Sequence, residues 1–502
     1  MRWVLFTLLL LPGISWAEAL YEKHCASCHG ADRLGGIGPA LLPENLSRLK
    51  KPEAARTIRD SRPGVQMPAF AGQIDEKGIK DLVELIYSPV VPAPRWGDAE
   101  IRASRVVHHA PGALPARPRF EADPMNLFVV VEAGDHHVTI LDGDRLEPIH
   151  RFASRYALHG GPKFTRDGRY VYFASRDGWI SKFDLWNLAT VAEVRAGINT
   201  RNAAVSSDGR HVIAANYLPH TLAIFDADLN LVKTIETPSR VSAVYDAPPR
   251  RSFIAALKDA PEVWEISYDP KAQDIPVGTV HDFRTKEGTF LAGFLNPRRT
   301  VLAEALDDFF FTPDFSTLVG TSRDAKGGQV VQLDVRRAIA RVELPGMPHL
   351  ASGITWEREG RRVMATPNLR EAVVSVIDIG TWKTLAQVPT PGPGFFLRSH
   401  EATPYAWVDA MMSPAGRDTL QVIDKQSLRV VARLTPAPGK TLAHVEFDRY
   451  GRYALASLWE ADGALIVFDA RTLAEVKRIP MKKPVGKYNV HNKVMRSEGT
   501  SP

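Results

Sequence analysis

Arg166-Asp167-Gly168-Arg169-Tyr170-Val171-Tyr172-Phe173, leading to Phe183-Asp184-Leu185, is repeated as Ser207-Asp208-Gly209-Arg210-His211-Val212-Ile213-Ala214, leading to Ile224-Phe225-Asp226. Each copy reads as a charged or Gly-containing turn, an apolar strand, a second turn, another strand ending in Asp, and a short Leu-containing link. The same grammar recurs at Pro249-Arg250-Arg251, at Asp314-Phe315-Ser316 running to Gln332-Leu333-Asp334, and at Glu359-Gly360-Arg361 running to Val376-Ile377-Asp378. Two more copies run from Glu401 to Asp424 and from Tyr450-Gly451-Arg452 to Val467-Phe468-Asp469, and Met125 to Asp142 is the first, so the unit occurs eight times. One interval, between the fourth and fifth copies, is longer and carries an insertion. A period of roughly 40 to 50 residues with several short strands per unit predicts a β-propeller. A single blade cannot bury both of its faces, so blades stack around an axis and the ring closes. The expected fold is an all-β eight-bladed propeller over residues 111–495, whose central opening suits a large flat ligand.

Upstream of the repeat stands Cys25-Ala26-Ser27-Cys28-His29, and these are the only two cysteines of the chain. The C-x-x-C-H spacing is that of c-type haem attachment, with both thiols bonded to the macrocycle and His29 under the iron. A dithiol redox pair would need a surrounding βαβ pattern and a zinc site would need further ligands, and neither is present. Ile37-Gly38-Pro39-Ala40-Leu41 reads as a turn against the ring. In Val65-Gln66-Met67-Pro68 the Met67 thioether is placed to be the sixth ligand. Asp75 to Tyr87 carries Ile79, Leu82, Val83 and Ile86 at helical spacing, one apolar face for packing on the haem. Residues 18–88 are therefore expected to form a small all-α cytochrome c domain.

Met1-Arg2, the apolar run Val4 to Leu11 and Ser15-Trp16-Ala17 read as a signal peptide over residues 1–17, with the mature chain starting at Glu18. No later segment approaches the roughly 18 uninterrupted apolar residues of a membrane span, so none is expected after signal removal. A secreted chain with covalent haem is expected in the periplasm. Pro89-Val90-Val91-Pro92-Ala93-Pro94 opens a stiff linker, read over 89–110. The formal charge of +6 is carried by scattered Lys and Arg. That distribution argues against nucleic acid as a partner and favours a ligand bearing carboxylates.

Arg155-Tyr156-Ala157-Leu158-His159, Gly168-Arg169-Tyr170, Arg176-Asp177 and Asp184-Leu185-Trp186 resemble the first block of the haem d1 propeller of the cytochrome cd1 nitrite reductase family. Pro484-Val485-Gly486-Lys487-Tyr488-Asn489-Val490 resembles that family's closing segment, and further matches lie at Ala215-Asn216-Tyr217, Pro348-His349 and Leu397-Arg398-Ser399-His400. The resemblance spans essentially the whole propeller. Within the family, the short c domain, Pro348-His349-Leu350, Pro367-Asn368-Leu369 and the histidine in Ala443-His444-Val445-Glu446-Phe447 are more similar to the biosynthetic branch, which oxidises dihydro-haem d1, than to the nitrite reductase. The C-x-x-C-H motif separates the chain from a third branch that lacks haem c.

The resemblance implies His159 as proximal iron ligand of haem d1 and His349 on its distal side, either as the second axial ligand or as an acid near the substrate. His400 lies in another matching block and is given no role. Haem d1 carries several carboxylates, and Arg155, Arg176, Arg201, Arg240 and Arg398 sit where guanidinium groups could bind them. The implied reaction is the last step of haem d1 synthesis for denitrification, conversion of a propionate side chain to an acrylate. His444 is the candidate base, Tyr488 orients the substrate or relays the proton, and the electrons pass to haem c. The implied partners are dihydro-haem d1, a periplasmic electron acceptor, and the nitrite reductase as recipient of haem d1. A true nitrite reductase making nitric oxide and a non-catalytic haem d1 carrier are the alternatives.

Overall fold

The computed structural model describes residues 15–36, 38–47, 49–61, 67–282, 287–322 and 327–495. The chain divides into two compact units, residues 1–95 and 96–502. Most of the expected signal peptide, together with Ile37, Val65 and Gln66, lies outside the described residues. Among the described residues no helix is long and apolar enough to cross a membrane.

The first unit is helical. Ser15 caps helix Trp16–His24 by accepting from the Glu18 amide, so the expected cleavage position Ala17 lies inside this helix. The short helix Ala26–His29 follows with Cys25 at its cap. Asp75 accepts from the Gly78 amide and starts helix Glu76–Tyr87. That helix buries Ile79, Leu82, Val83 and Ile86 against Tyr21, Leu46, Ile58, Phe70 and Ile74, as its apolar stripe predicts.

The second unit is the propeller. Seven blades take their four strands in chain order: Lys163–Phe164 to Ala189–Arg195, Asn199–Val205 to Leu231–Glu236, Val241–Ala247 to Pro297–Val301, Asp308–Phe311 to Arg337–Val342, Ile354–Arg358 to Lys383–Pro389, Leu397–Ser399 to Val430–Leu434, and Leu442–Phe447 to Glu475–Met481. The remaining blade, which we count as the first, is built from both ends of the propeller. Leu127–Glu132, His137–Asp142 and Glu147–Ala153 receive Pro484–Asn489 as their first strand, antiparallel to Leu127–Glu132. This pairing closes the ring without an exposed inner edge. The insertion is a hairpin of Ile275–Asp282 and Glu287–Leu291, placed between the third and fourth strands of the fourth blade.

The repeated turn residues have a physical reason. In the first turn Asp167 and Asp208 accept from the Arg169 and Arg210 amides, while Gly168 and Gly209 take φ near +69°. At the end of the third strand Asp142, Asp226, Asp378, Asp424 and Asp469 accept from amides of the following turn. The linking Leu146, Leu188, Leu229, Leu428 and Leu473 hold positive φ, and Leu146 and Leu229 are buried. Burial of the side chain offsets the backbone cost of that conformation.

Within the stretch read as linker over 89–110, residues from Trp96 onward are packed on the propeller. Helix Asp98–Ala103 buries Ile101 among Val191, Val212 and Phe225 of the second and third blades. Val106–Val107 adds a fifth strand to the second blade.

Candidate functional site

First strands are buried almost throughout, whereas outer strands such as Arg337–Val342 and Lys383–Pro389 are largely exposed. First strands of neighbouring blades lie against one another around the axis. They and the loops entering them enclose a cavity of about 500 Å³. Every blade supplies a residue to it: Tyr488 from the first, then His159, Arg201, Tyr245, Asp308, His349, Arg398 and His444 in order around the ring. The cavity also takes Phe395, Phe396, Met411 and Trp459 as apolar wall, and Lys163 and Lys493 as further cations. A mostly apolar chamber of this size with a few converging polar groups is the usual form of a cofactor-sized site.

Two of the three histidines share one design. His159 Nδ1 donates to the Arg201 carbonyl at 2.7 Å, and His349 Nδ1 donates to the Phe395 carbonyl at 2.7 Å. A carbonyl only accepts, so each ring carries its proton on Nδ1 and has its lone pair on Nε2. Burial holds His159 well below the usual imidazole value, with the Arg176 and Arg201 charges adding to it. His349 is lowered chiefly by burial as well. Neutral imidazoles with a fixed tautomer are suitable iron ligands. The Arg201 guanidinium donates to His159 Nε2.

His444 differs. It sits at φ +48° at a register break, where Ala443 pairs with Ser457 and Val445 with Ala456. Its ring meets Phe396 edge-on at 4.5 Å and Tyr488 edge-on at 5.0 Å. Both ring nitrogens are shut off from solvent and meet no hydrogen-bonding partner among the described residues. Burial first, then the charges of Lys487, Arg398 and Lys493, keep it neutral. Burial pushes the Tyr488 hydroxyl up to about 12, so it stays protonated. Tyr488 is seated between two glycines: a Cβ on Gly161 would lie 3.1 Å from its ring and one on Gly486 2.7 Å from its hydroxyl.

The five arginines separate into groups. Arg201 and Arg398 line the cavity, and the Arg398 Nε has no partner among the described residues. Arg176 lies close enough to His159 to bias its charge but does not line the cavity. Arg155 is held by both oxygens of Glu193 at 2.9 and 2.8 Å and stacks on Trp179, outside the cavity. Arg240 is likewise paired with Asp259 and stacked on Tyr217. His400 is buried outside the cavity, with Nδ1 accepting from the Ala402 amide.

Sequence reading did not pick out Tyr245, Asp308, Lys163, Lys493, Asp409 or Lys487. Tyr245 donates to Asp308 at 3.1 Å, and Asp308 also accepts from the Ala351 amide beside His349. Tyr245 and Asp308 carried one available signal: like Arg201, Arg398 and His444 they stand in the stretch just before the turn that opens a repeat.

In the first unit neither thiol is in a disulfide, and burial, with Cys28 adding to it, raises the Cys25 thiol to about 11. His29 Nδ1 donates to the Pro39 carbonyl at 2.8 Å, which fixes Nε2 as its lone pair. A Cβ on Gly38 would lie 2.6 Å from the His29 ring, so a glycine is required there. Met67 packs on the same apolar cluster as Cys25. These residues fit a covalent haem, which Cys25, Cys28 and His29 would hold with Met67 as a further donor.

The family model described as "Cytochrome D1 heme domain" matches residues 122–493, and one described as "Cytochrome C oxidase, cbb3-type, subunit III" matches residues 14–86. The chain is 55% identical over 500 residues to the dihydro-heme d1 dehydrogenase of Pseudomonas aeruginosa, covering 98% of this chain and 97% of that one. It is 24% identical over 532 residues to the nitrite reductase of Stutzerimonas stutzeri, covering 95% and 92%. A solved structure of the dihydro-heme d1 dehydrogenase NirN in complex with DHE superposes with a TM-score of 0.85 at 55% identity, over 95% of this chain and 99% of that chain.

Proposed function

We propose, on the premise that the chain belongs to the cytochrome D1 heme domain family, that it oxidises the saturated propionate of dihydro-haem d1 to the acrylate of haem d1. The observation that carries this reading is the convergence in one cavity of two ligand-ready imidazoles, His159 and His349, with a third, His444, that has no ligand-like arrangement. Three different jobs are available: two contacts to iron and one base. Identity of 55% across the full length of a relative named for this reaction supports it. The c-type motif and the leader-like N-terminus support a periplasmic setting and an acceptor there.

The side chain –CH2–CH2–COO⁻ becomes –CH=CH–COO⁻ by loss of two protons and two electrons. His159 and His349 would hold the substrate's iron through Nε2, His159 once the Arg201 guanidinium has left that nitrogen for a substrate carboxylate, and Arg398 would bind a second carboxylate. His444 Nε2 or Nδ1 accepts a proton from the side chain, since the ring is neutral and both nitrogens are unengaged. Tyr488, protonated and edge-on to that ring, fixes the side chain against it. Phe395, Phe396 and Trp459 exclude water from the reacting carbons. Cys25, Cys28, His29 and Met67 would hold haem c, which would take the two electrons one at a time and pass each to an outside acceptor, while His444 gives up the first proton before taking the second.

The test is anaerobic incubation of the haem c protein with dihydro-haem d1, followed by mass analysis of the extracted macrocycle. Loss of two hydrogens with reduction of two haem c per macrocycle is expected. An unchanged macrocycle would overturn the reading in favour of nitrite reduction or cofactor carriage.

A further inference from the structure

His444 is the extra residue of a bulge, and a bulge leaves an amide and a carbonyl without ladder partners. Here both are taken by buried ionisable side chains. The His444 amide donates to Asp409 Oδ2 at 3.2 Å, and Lys487 Nζ donates to the His444 carbonyl and, at 2.9 Å, to Ser457 Oγ. Lys487 is fully buried and Asp409 is 1% exposed. Burying a lysine and an aspartate is expensive, and side chains that never ionise could satisfy the same backbone groups.

The same two side chains also reach the walls of the site. Asp409 accepts from the Phe395 amide at 2.7 Å and the Phe396 amide at 3.2 Å, and the Phe396 ring lies against His444. Lys487 precedes Tyr488, whose ring lies on another edge of His444. Among the described residues the imidazole has no hydrogen bond of its own to set its direction. Its aim is therefore set by its backbone and by two rings, and Asp409 and Lys487 hold all three.

We propose that Asp409 and Lys487 are positioning residues that clamp the peptide of His444 in its left-handed conformation and so aim the imidazole at the substrate side chain. This rests on the reading of His444 as the base. A general base displaced by about 1 Å loses on the order of 10²-fold in rate.

The test uses the full haem c protein with Lys487→Met and, separately, Asp409→Asn, and dihydro-haem d1 deuterated in the propionate. Each variant is expected to bind substrate, read by its absorption change, with wild-type affinity. Each is expected to oxidise it roughly 10- to 100-fold more slowly, with a larger deuterium isotope effect because C–H cleavage now limits the rate. Hydrogen exchange of the amides over 442–447 is expected to be faster. A merely structural loss lowers the active fraction and leaves the isotope effect alone. Wild-type rates, or loss of affinity equal to the loss of rate, would overturn the clamp. If Lys487→Met does not fold, Asp409→Asn alone decides by the same readings. His444→Gln separates the two failures: if it turns over normally the base assignment fails, and if it is inactive while both clamp variants are normal the clamp alone fails.

Discussion

Replacing His444 with Phe should leave the fold at least as stable while stopping the reaction. The ring is buried, edge-on to Phe396 and Tyr488, and its two nitrogens have neither solvent nor a partner. Leaving a buried polar group unsatisfied costs about 1–3 kcal/mol, and an aromatic ring of similar shape removes that penalty. Phe tolerates φ near +48° less well than His, which takes back about 1 kcal/mol. The balance is a protein about 1 kcal/mol more stable, seen as a rise of about 1–2 °C in the melting temperature of the propeller. Removing a general base costs 10²- to 10⁴-fold in rate, or about 3–5 kcal/mol of barrier. The assay pairs calorimetry with single-turnover reduction of haem c by dihydro-haem d1. Turnover within about tenfold of wild type would refute the catalytic assignment. Destabilisation beyond about 2 kcal/mol would show that the imidazole is a structural group.

The cavity arginines should separate from the paired ones. Arg398→Leu and Arg201→Leu are expected to weaken dihydro-haem d1 binding about 10- to 100-fold, the worth of a charge-assisted hydrogen bond. Arg155→Leu and Arg240→Leu are expected to bind it as wild type in the same absorption titration, since Glu193 and Asp259 already occupy them. Gly38→Ala drives a Cβ to 2.6 Å from the His29 ring, so the haem c potential is expected to shift while propeller binding is unchanged; an unaltered potential would count against His29 as ligand. Burial raises the Asp409 carboxyl from 3.8 to about 6, so the folded state holds this proton more tightly than the unfolded chain does. The stability this contributes is full below about pH 4 and lost as pH rises through about 6, a swing of about 3 kcal/mol. The stability of wild type minus that of Asp409→Asn should therefore fall across this window and be flat above it, and denaturation midpoints that show no such fall would remove the shift.

The ring was legible because its signals are local. Asp at a strand end and Gly at a hairpin turn answer needs of the backbone itself, so they recur in most and in several of the copies, respectively, whatever the ring encloses. The helix Glu76–Tyr87 and the Cys25 to His29 motif were legible for the same reason. Which arginines face the axis was not: Arg155 and Arg240 carry the same chemistry as Arg201 and Arg398, and only the positions of Glu193 and Asp259 across the blade decide that the first two are spent elsewhere. The docking of residues from Trp96 onward on the second blade depends equally on distant partners, as with the Trp96 indole donating to the Arg195 carbonyl.

The closed topology nonetheless supplies a rule that reaches further than residue type. The axis is lined by first strands, so a residue that faces it recurs about once per repeat. Arg201, Tyr245, Arg398, His444 and Tyr488 all lie in first strands, Asp308 begins one, and His159 and His349 lie in the loops that enter them. A search by chemistry finds the histidines and passes over Tyr245 and Asp308, whereas a search along the first strands reaches those two as well. Neither singles out Lys487 or Asp409, because their work is on a peptide group and their side chains leave no trace in the pattern of strand alternation. What betrays them is physical: a lysine and an aspartate buried behind a cavity, with the two backbone atoms of one left-handed histidine as shared targets.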